Sequence, residues 1–95
     1  MSAYIIARVN VTDPAQYEKY KALAPAAIKN YGGEYLARGG TVETLEGPDE
    51  ARRVVVLRFE TMDAARAFYN SPEYQAAKAE REGAADGQFL IVEGL

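Results

Sequence analysis

Ninety-five residues with a net charge of −3 and neither cysteine nor histidine make one small domain, of a size that buries roughly 60–65% of its unfolded-chain surface. Without cysteine there are no disulfides or thiolates, and without histidine the commonest general base, haem ligand and transition-metal ligand are gone. The acidic balance speaks against nucleic-acid and anionic-membrane partners, no run is long enough to span a membrane, and the first residues lack a signal peptide's basic region, so a soluble cytoplasmic protein is expected.

Residues 4–11 read as a strand. Ile5, Ala7, Val9 and Val11 fall on the face expected under the helices, with Tyr4, Ile6, Arg8 and Asn10 on the other. Asp13-Pro14 then starts a helix: the aspartate caps, proline suits the first helical position, and Gln16 has capping-box spacing. Tyr17, Tyr20, Ala24, Ala27, Ile28 and Tyr31 form its apolar stripe. Pro25 costs a hydrogen bond and predicts a kink or break near residues 23–25, and Gly32-Gly33 ends the helix. Residues 34–38 read as a second strand. Gly39-Gly40 predicts a bulge, beyond which residues 41–46 resume as extended chain.

After the turn Gly47-Pro48-Asp49-Glu50 comes the strand 53–59. It is apolar on consecutive positions, as a strand buried on both faces would be. A second helix starts at Thr61 or Asp63 and restarts at Ser71-Pro72, running to about residue 82 with Tyr74, Ala77 and Arg81 aligned. Residues 88–93 form a last strand, again apolar on both sides. Strand, helix, strand, strand, helix, strand with right-handed crossovers gives a ferredoxin-like α+β layout, its antiparallel sheet centred on the first and third strands. Helices on one face leave several hundred Å² of apolar sheet bare on the other, which is more than a monomer usually exposes. A second copy laid sheet to sheet would cover it, so a homodimer is expected.

Several stretches also resemble a known pattern: Gly32-Gly33-Glu34-Tyr35-Leu36-Ala37-Arg38-Gly39-Gly40, Glu46-Gly47, Arg53-Val54-Val55-Val56, and Ala65-Arg66-Ala67-Phe68-Tyr69-Asn70-Ser71-Pro72-Glu73-Tyr74-Gln75, followed by Arg81 and Val92-Glu93-Gly94. Together they resemble domain of unknown function 1330, a family of the dimeric α/β-barrel superfamily. The resemblance covers nearly the whole chain. It implies a ferredoxin-like monomer, paired through its sheets, and no particular activity. The wider superfamily includes cofactor-independent monooxygenases, lactone isomerases and haem-binding dismutases; a histidine-ligated haem is incompatible with this composition.

Arginine and tyrosine carry the candidate chemistry. Arg38 precedes the glycine pair, where its guanidinium and exposed backbone N–H groups suit a carboxylate or phosphate; the competing reading pairs it with Glu46 or Glu93. Arg81 shares a helix stripe with Tyr74, either orienting an anion or bridging helix to sheet. Tyr35 and Tyr74 complete the ligand-binding candidates. Tyr69, at the junction between helical pieces, is the candidate proton donor or acceptor. Tyr17, Tyr20 and Tyr31 read as packing residues. Arg8 points to the sheet–sheet side, Ser71 has no histidine to activate it and reads as a cap, and the acids between residues 43 and 50 lack calcium-loop spacing. The functional readings are an enzyme acting without metal or organic cofactor on a small anionic or phenolic metabolite, a non-catalytic small-molecule binder, and a purely structural dimer. The ligand is expected between the sheet and the helices, and a pocket opening between the sheet and the second helix, lined by arginine and tyrosine, would favour the first two readings.

Overall fold

A computed structural model describes residues 1–95. The elements are β1 (Ala3–Val11), α1 (Pro14–Asn30), β2 (Glu34–Arg38), β3 (Arg53–Phe59), α2 (Met62–Tyr69), α3 (Pro72–Arg81) and β4 (Ala85–Glu93). The sheet order is β2-β3-β1-β4, every neighbouring pair antiparallel, with β1 and β3 in the middle as expected. This is the ferredoxin-like βαββαβ arrangement, its second helix in two pieces.

Local chemistry accounts for the element ends. Asp13 accepts from the Gln16 amide N–H at 3.2 Å, and Thr61 caps α2 by accepting from the Ala64 N–H at 3.0 Å. Ser71 accepts from the Tyr74 N–H at 3.1 Å and donates to the Phe68 carbonyl at 2.7 Å, which makes it the hinge between α2 and α3. The Gln16 side chain does not close a capping box. It crosses to α3, donating to the Glu80 carbonyl at 2.9 Å and the Glu80 carboxylate at 3.0 Å. α1 runs unbroken through Pro25 from Pro14 to Asn30. At its end Gly32 takes φ +77°, and Gly33 sits where any Cβ would strike the Phe59 ring.

Ala3, Ile5, Ala7 and Val9 of β1 are buried, as are Leu57 and Phe59 of β3, under Ala24, Ala27 and Ile28 of α1, Phe68 of α2 and Tyr74 of α3. The first strand's faces are as the alternation predicted. On the opposite face Ile6 stands between Val56 and Leu90, and Tyr4 beside Val92. Leu90, Val92 and Leu36 there are 42%, 47% and 53% exposed. Nothing in the single chain covers this face.

Three further expectations are corrected. Residues 41–46 form no strand: pairing beyond Arg38 ends with the Gly39 N–H donating to the Val54 carbonyl at 2.9 Å, and Thr44 Oγ1 accepts from the Glu50 N–H at 2.9 Å in a loop. The bulge lies at Leu36, not at the glycine pair. β4 also begins earlier than predicted, at Ala85, since Val11 and Asn10 reach far enough along β1 to pair with Ala85 and Asp86.

At the end of the bare face, Glu50 holds Arg52 at 2.8 Å and lies 3.8 Å from Arg8. Its hydrogen bonds to Arg52 hold the carboxyl down to about 2, below the ordinary 4.5. A carboxylate with a depressed folded-state pKa stabilises fully above its ordinary value, and that contribution disappears as pH falls toward the folded value. Glu50→Gln should therefore flatten the decline of the thermal midpoint between about pH 5 and about pH 3. A variant whose midpoint falls as steeply as wild type over that range would show that the cluster does not contribute.

Candidate functional site

A cavity of about 40 Å³ lies between α1 and the sheet, little more than one water's share of the liquid. Ile5, Ala7, Val55 and Leu57 floor it, Phe68 and Phe89 close its sides, and Tyr17, Tyr20, Tyr35 and Tyr74 bring phenols to it. A second cavity opens between α2 and β4, and this one lies beneath α1. The reason is in β2. Tyr35 pairs with Leu57 and Arg38 with Val55, both on the helix side, while Ala37 pairs with Val56 on the bare side. In a regular strand residues three apart point to opposite faces. The extra residue, Leu36, restores them to one face, so Arg38 and Tyr35 both reach the cavity, the guanidinium 4.6 Å from the ring centre.

The cavity gathers cations without counterions. Arg8, Arg52, Arg58 and Arg66 each have a carboxylate oxygen within 4 Å. The other three arginines, Arg38, Arg53 and Arg81, have none. Arg38 and Arg53 line the cavity, no aspartate or glutamate does, and Lys21 at its rim pairs with Glu18 at 2.9 Å. Arg53 arrives by the alternation Arg53, Val55, Leu57 on β3. Gly39, at φ +69°, leaves open the space its guanidinium occupies, since a Cβ there would collide with it.

Arg81, 9% exposed, stands behind the inner wall. Its guanidinium lies 4.6 Å from the Phe89 ring centre and 5.4 Å from that of Tyr20, and it donates to the Tyr74 hydroxyl at 3.4 Å. Tyr74 and Tyr20 share a hydrogen bond of 2.9 Å. Burial opposes the charge on Arg81, and the hydrogen bond to Tyr74 favours it. Burial also raises Tyr17 and Tyr35, and raises Tyr20 strongly with help from Tyr74. Those phenols stay protonated at neutral pH and serve as hydrogen-bond donors, not bases.

Of the residues singled out from sequence, Arg38, Tyr35 and Tyr74 meet around one cavity and Arg81 backs it. Tyr69 lies elsewhere. Its ring packs 5.2 Å from Tyr74 and 6.3 Å from Phe89, and it lines the second cavity, of about 260 Å³, with Arg66 and Asn70. Neither pairing considered for Arg38 forms; Glu93 is on β4, at the sheet's opposite edge. Sequence reasoning missed Arg53 and assigned Tyr17 and Tyr20 to packing alone. The period-2 pattern from Arg53 to Phe59 was the available signal for Arg53. No cluster of three acidic residues is placed to hold a metal ion, and no helix is long and apolar enough to cross a membrane.

A four-stranded antiparallel sheet with all its helices on one face and a cation-edged cavity between them defines a ferredoxin-like α+β protein. Residues 2–95 match the family described as Domain of unknown function (DUF1330), and the chain belongs to it. No curated protein matches. Among solved structures, the chain is similar to RPA0582, a protein of unknown function from Rhodopseudomonas palustris, at 19% identity and TM-score 0.79, over 99% of this chain and 82% of that one. It is similar to SnoaB, a cofactor-independent oxygenase from Streptomyces nogalater, at 15% identity and TM-score 0.71, over 99% and 93%. A dimeric protein of unknown function and ferredoxin-like fold from Bacteroides fragilis aligns at 14% identity and TM-score 0.66, over 98% and 96%. At these identities the likeness is one of fold.

Proposed function

We propose that the chain works as a homodimer, paired through its bare sheet face, and that the cavity beneath α1 receives a small anionic or phenolic metabolite and transforms it without a metal or organic cofactor. The observation that carries this reading is the placement of the three arginines with no carboxylate partner, Arg38 and Arg53 lining one cavity and Arg81 behind its inner wall, in a protein of net charge −3. A fold that pairs its other four arginines keeps these three for something else, and a bound anion would complete them. The hydroxyl of Tyr20, paired with that of Tyr74, is a donor to a ligand oxygen on which charge builds, so the role read for Tyr69 passes to this pair. The likeness to a cofactor-independent oxygenase supports cofactor-free chemistry, and the dimeric Bacteroides fragilis neighbour supports the pairing. The small closed volume favours the second reading, a binder whose side chains part only for a tight ligand.

Benzoate and its neutral isostere benzamide separate anion recognition from shape. Benzoate should bind by calorimetry and benzamide should not. Arg38→Ala should weaken benzoate about tenfold, the worth of one charge-assisted hydrogen bond, with the dimer intact by light scattering. Unchanged binding in the variant discards Arg38 as a ligand residue. Native mass spectrometry of the protein from its own host would then identify the physiological ligand, and its turnover would separate enzyme from binder.

A further inference from the structure

Two buried side-chain polar atoms lack any hydrogen-bond partner, and both are guanidinium Nε atoms: those of Arg53 and Arg81. Buried donors are almost always satisfied, so two orphans, one lining the cavity and one behind its inner wall, call for a common cause. They stand on different sides of it. Arg53 is on β3, beside Arg38 at the end of β2, and Tyr35 lies in the field of both. Arg81 covers Phe89 on β4, two strand spacings or about 10 Å from β3. Tyr17 lies between and feels Arg53 and Arg81 alike. The floor between the ends is apolar.

Resting on the reading of this cavity as an anion site, we propose that its ligand is a planar molecule bearing an oxygen function at each end: a carboxylate toward Arg38 and Arg53, and a hydroxyl or oxo group against the Tyr20–Tyr74 pair backed by Arg81. The two ends differ in kind. The outer one presents two guanidinium groups to the cavity, which suits a full negative charge and bidentate contact. The inner one presents neutral hydroxyls with the cation behind them. Because Arg81 donates to the Tyr74 oxygen, Tyr74 is the better donor to Tyr20, which leaves the Tyr20 hydrogen for the ligand. Hydroxy- and oxo-substituted aromatic or conjugated carboxylates have this form; simple carboxylates and simple phenols each satisfy one end.

Calorimetry with 4-hydroxybenzoate, benzoate and phenol on the intact wild-type protein tests it. 4-Hydroxybenzoate should bind about tenfold more tightly than benzoate, and phenol most weakly. Tyr20→Phe, which removes the hydrogen offered to the ligand, should erase the preference for 4-hydroxybenzoate over benzoate. Arg53→Met should weaken both carboxylates by the same factor, and Arg53→Lys, which keeps the charge and loses the fork, should weaken them less. Equal binding of benzoate and 4-hydroxybenzoate overturns the two-ended ligand and leaves the anion site standing. A preference for 4-hydroxybenzoate that survives Tyr20→Phe overturns it as well. Failure of all three compounds to bind the wild-type protein overturns the anion site itself.

Discussion

At micromolar concentration the chain should scatter light as a particle of twice its 10.4 kDa mass, and Ile6→Asp should abolish that particle. Ile6 lies at the middle of the bare face, between Val56 on one neighbouring strand and Leu90 on the other. The four strands, of nine, five, seven and nine residues, lie about 4.8 Å apart and average about 25 Å in length, a face of roughly 19 by 25 Å. Two such faces hide on the order of 950 Å², close to the ~1,000 Å² at which specific interfaces begin. The ion pairs near its margins, Glu34 with Arg58 and Glu50 with Arg8 and Arg52, leave the centre apolar, the anatomy of a stable contact. An aspartate at that centre must be desolvated without a partner, and the two-fold relation brings its copy close. The cost is about 3 kcal/mol or more, at least a hundredfold in the dimer dissociation constant. The variant should therefore appear as a monomer with a lowered thermal midpoint, or fail to fold. A wild-type chain that is monomeric and cooperatively folded at the same concentration would overturn the pairing, and the exposed leucine and valine side chains would then need another partner.

What the sequence reveals and what it conceals divide on a physical line. β1 alternates strictly, and its buried face is legible because period 2 in sequence is period 2 in space. The caps at Asp13, Thr61 and Ser71 are legible because each is a local contact three residues long. The Leu36 bulge is not. Glu-Tyr-Leu-Ala-Arg contains no glycine, and the nearby Gly39-Gly40 draws attention to the wrong place, yet the extra residue alone decides that Arg38 and Tyr35 share a face. Residues 41–46 have strand-like composition. With β2 already at the sheet's edge and Thr44 turned back on Glu50, they find no strand to extend. Arg53 was hidden by its neighbours, since a run of valines reads as core and its first residue as flank. The cavity depends on which arginines lack partners. That is a property of three-dimensional neighbourhood, and spacing carries no trace of it.

Arg81→Met should leave the thermal midpoint unchanged or raise it by several degrees, and should weaken 4-hydroxybenzoate about tenfold, removing its preference over benzoate. The reasoning turns on what Arg81 does for the fold. Its guanidinium is nine-tenths buried, no carboxylate neutralises it, one hydroxyl accepts from it at 3.4 Å, and its Nε donates to nothing. The faces of Phe89 and Tyr20 return about 1–2 kcal/mol each at best, against a desolvation penalty of several kcal/mol for a buried ion. Methionine fills similar space with no charge to desolvate and adapts to the aromatic walls. The net change should lie between zero and about 2 kcal/mol of added stability, where 1 kcal/mol moves the midpoint of a domain this size by about 4–8 °C. A structural bridge behaves in the opposite way: its loss would leave the Tyr74 hydroxyl and the helix-to-sheet contact unsupported and lower the midpoint by more than about 10 °C. The sign of that shift, read together with the binding loss, decides whether Arg81 is kept for the fold or for what enters the cavity. A stabilised variant that no longer prefers 4-hydroxybenzoate would place it with the ligand, because a cation held at a cost to stability is what an anion site requires of its scaffold.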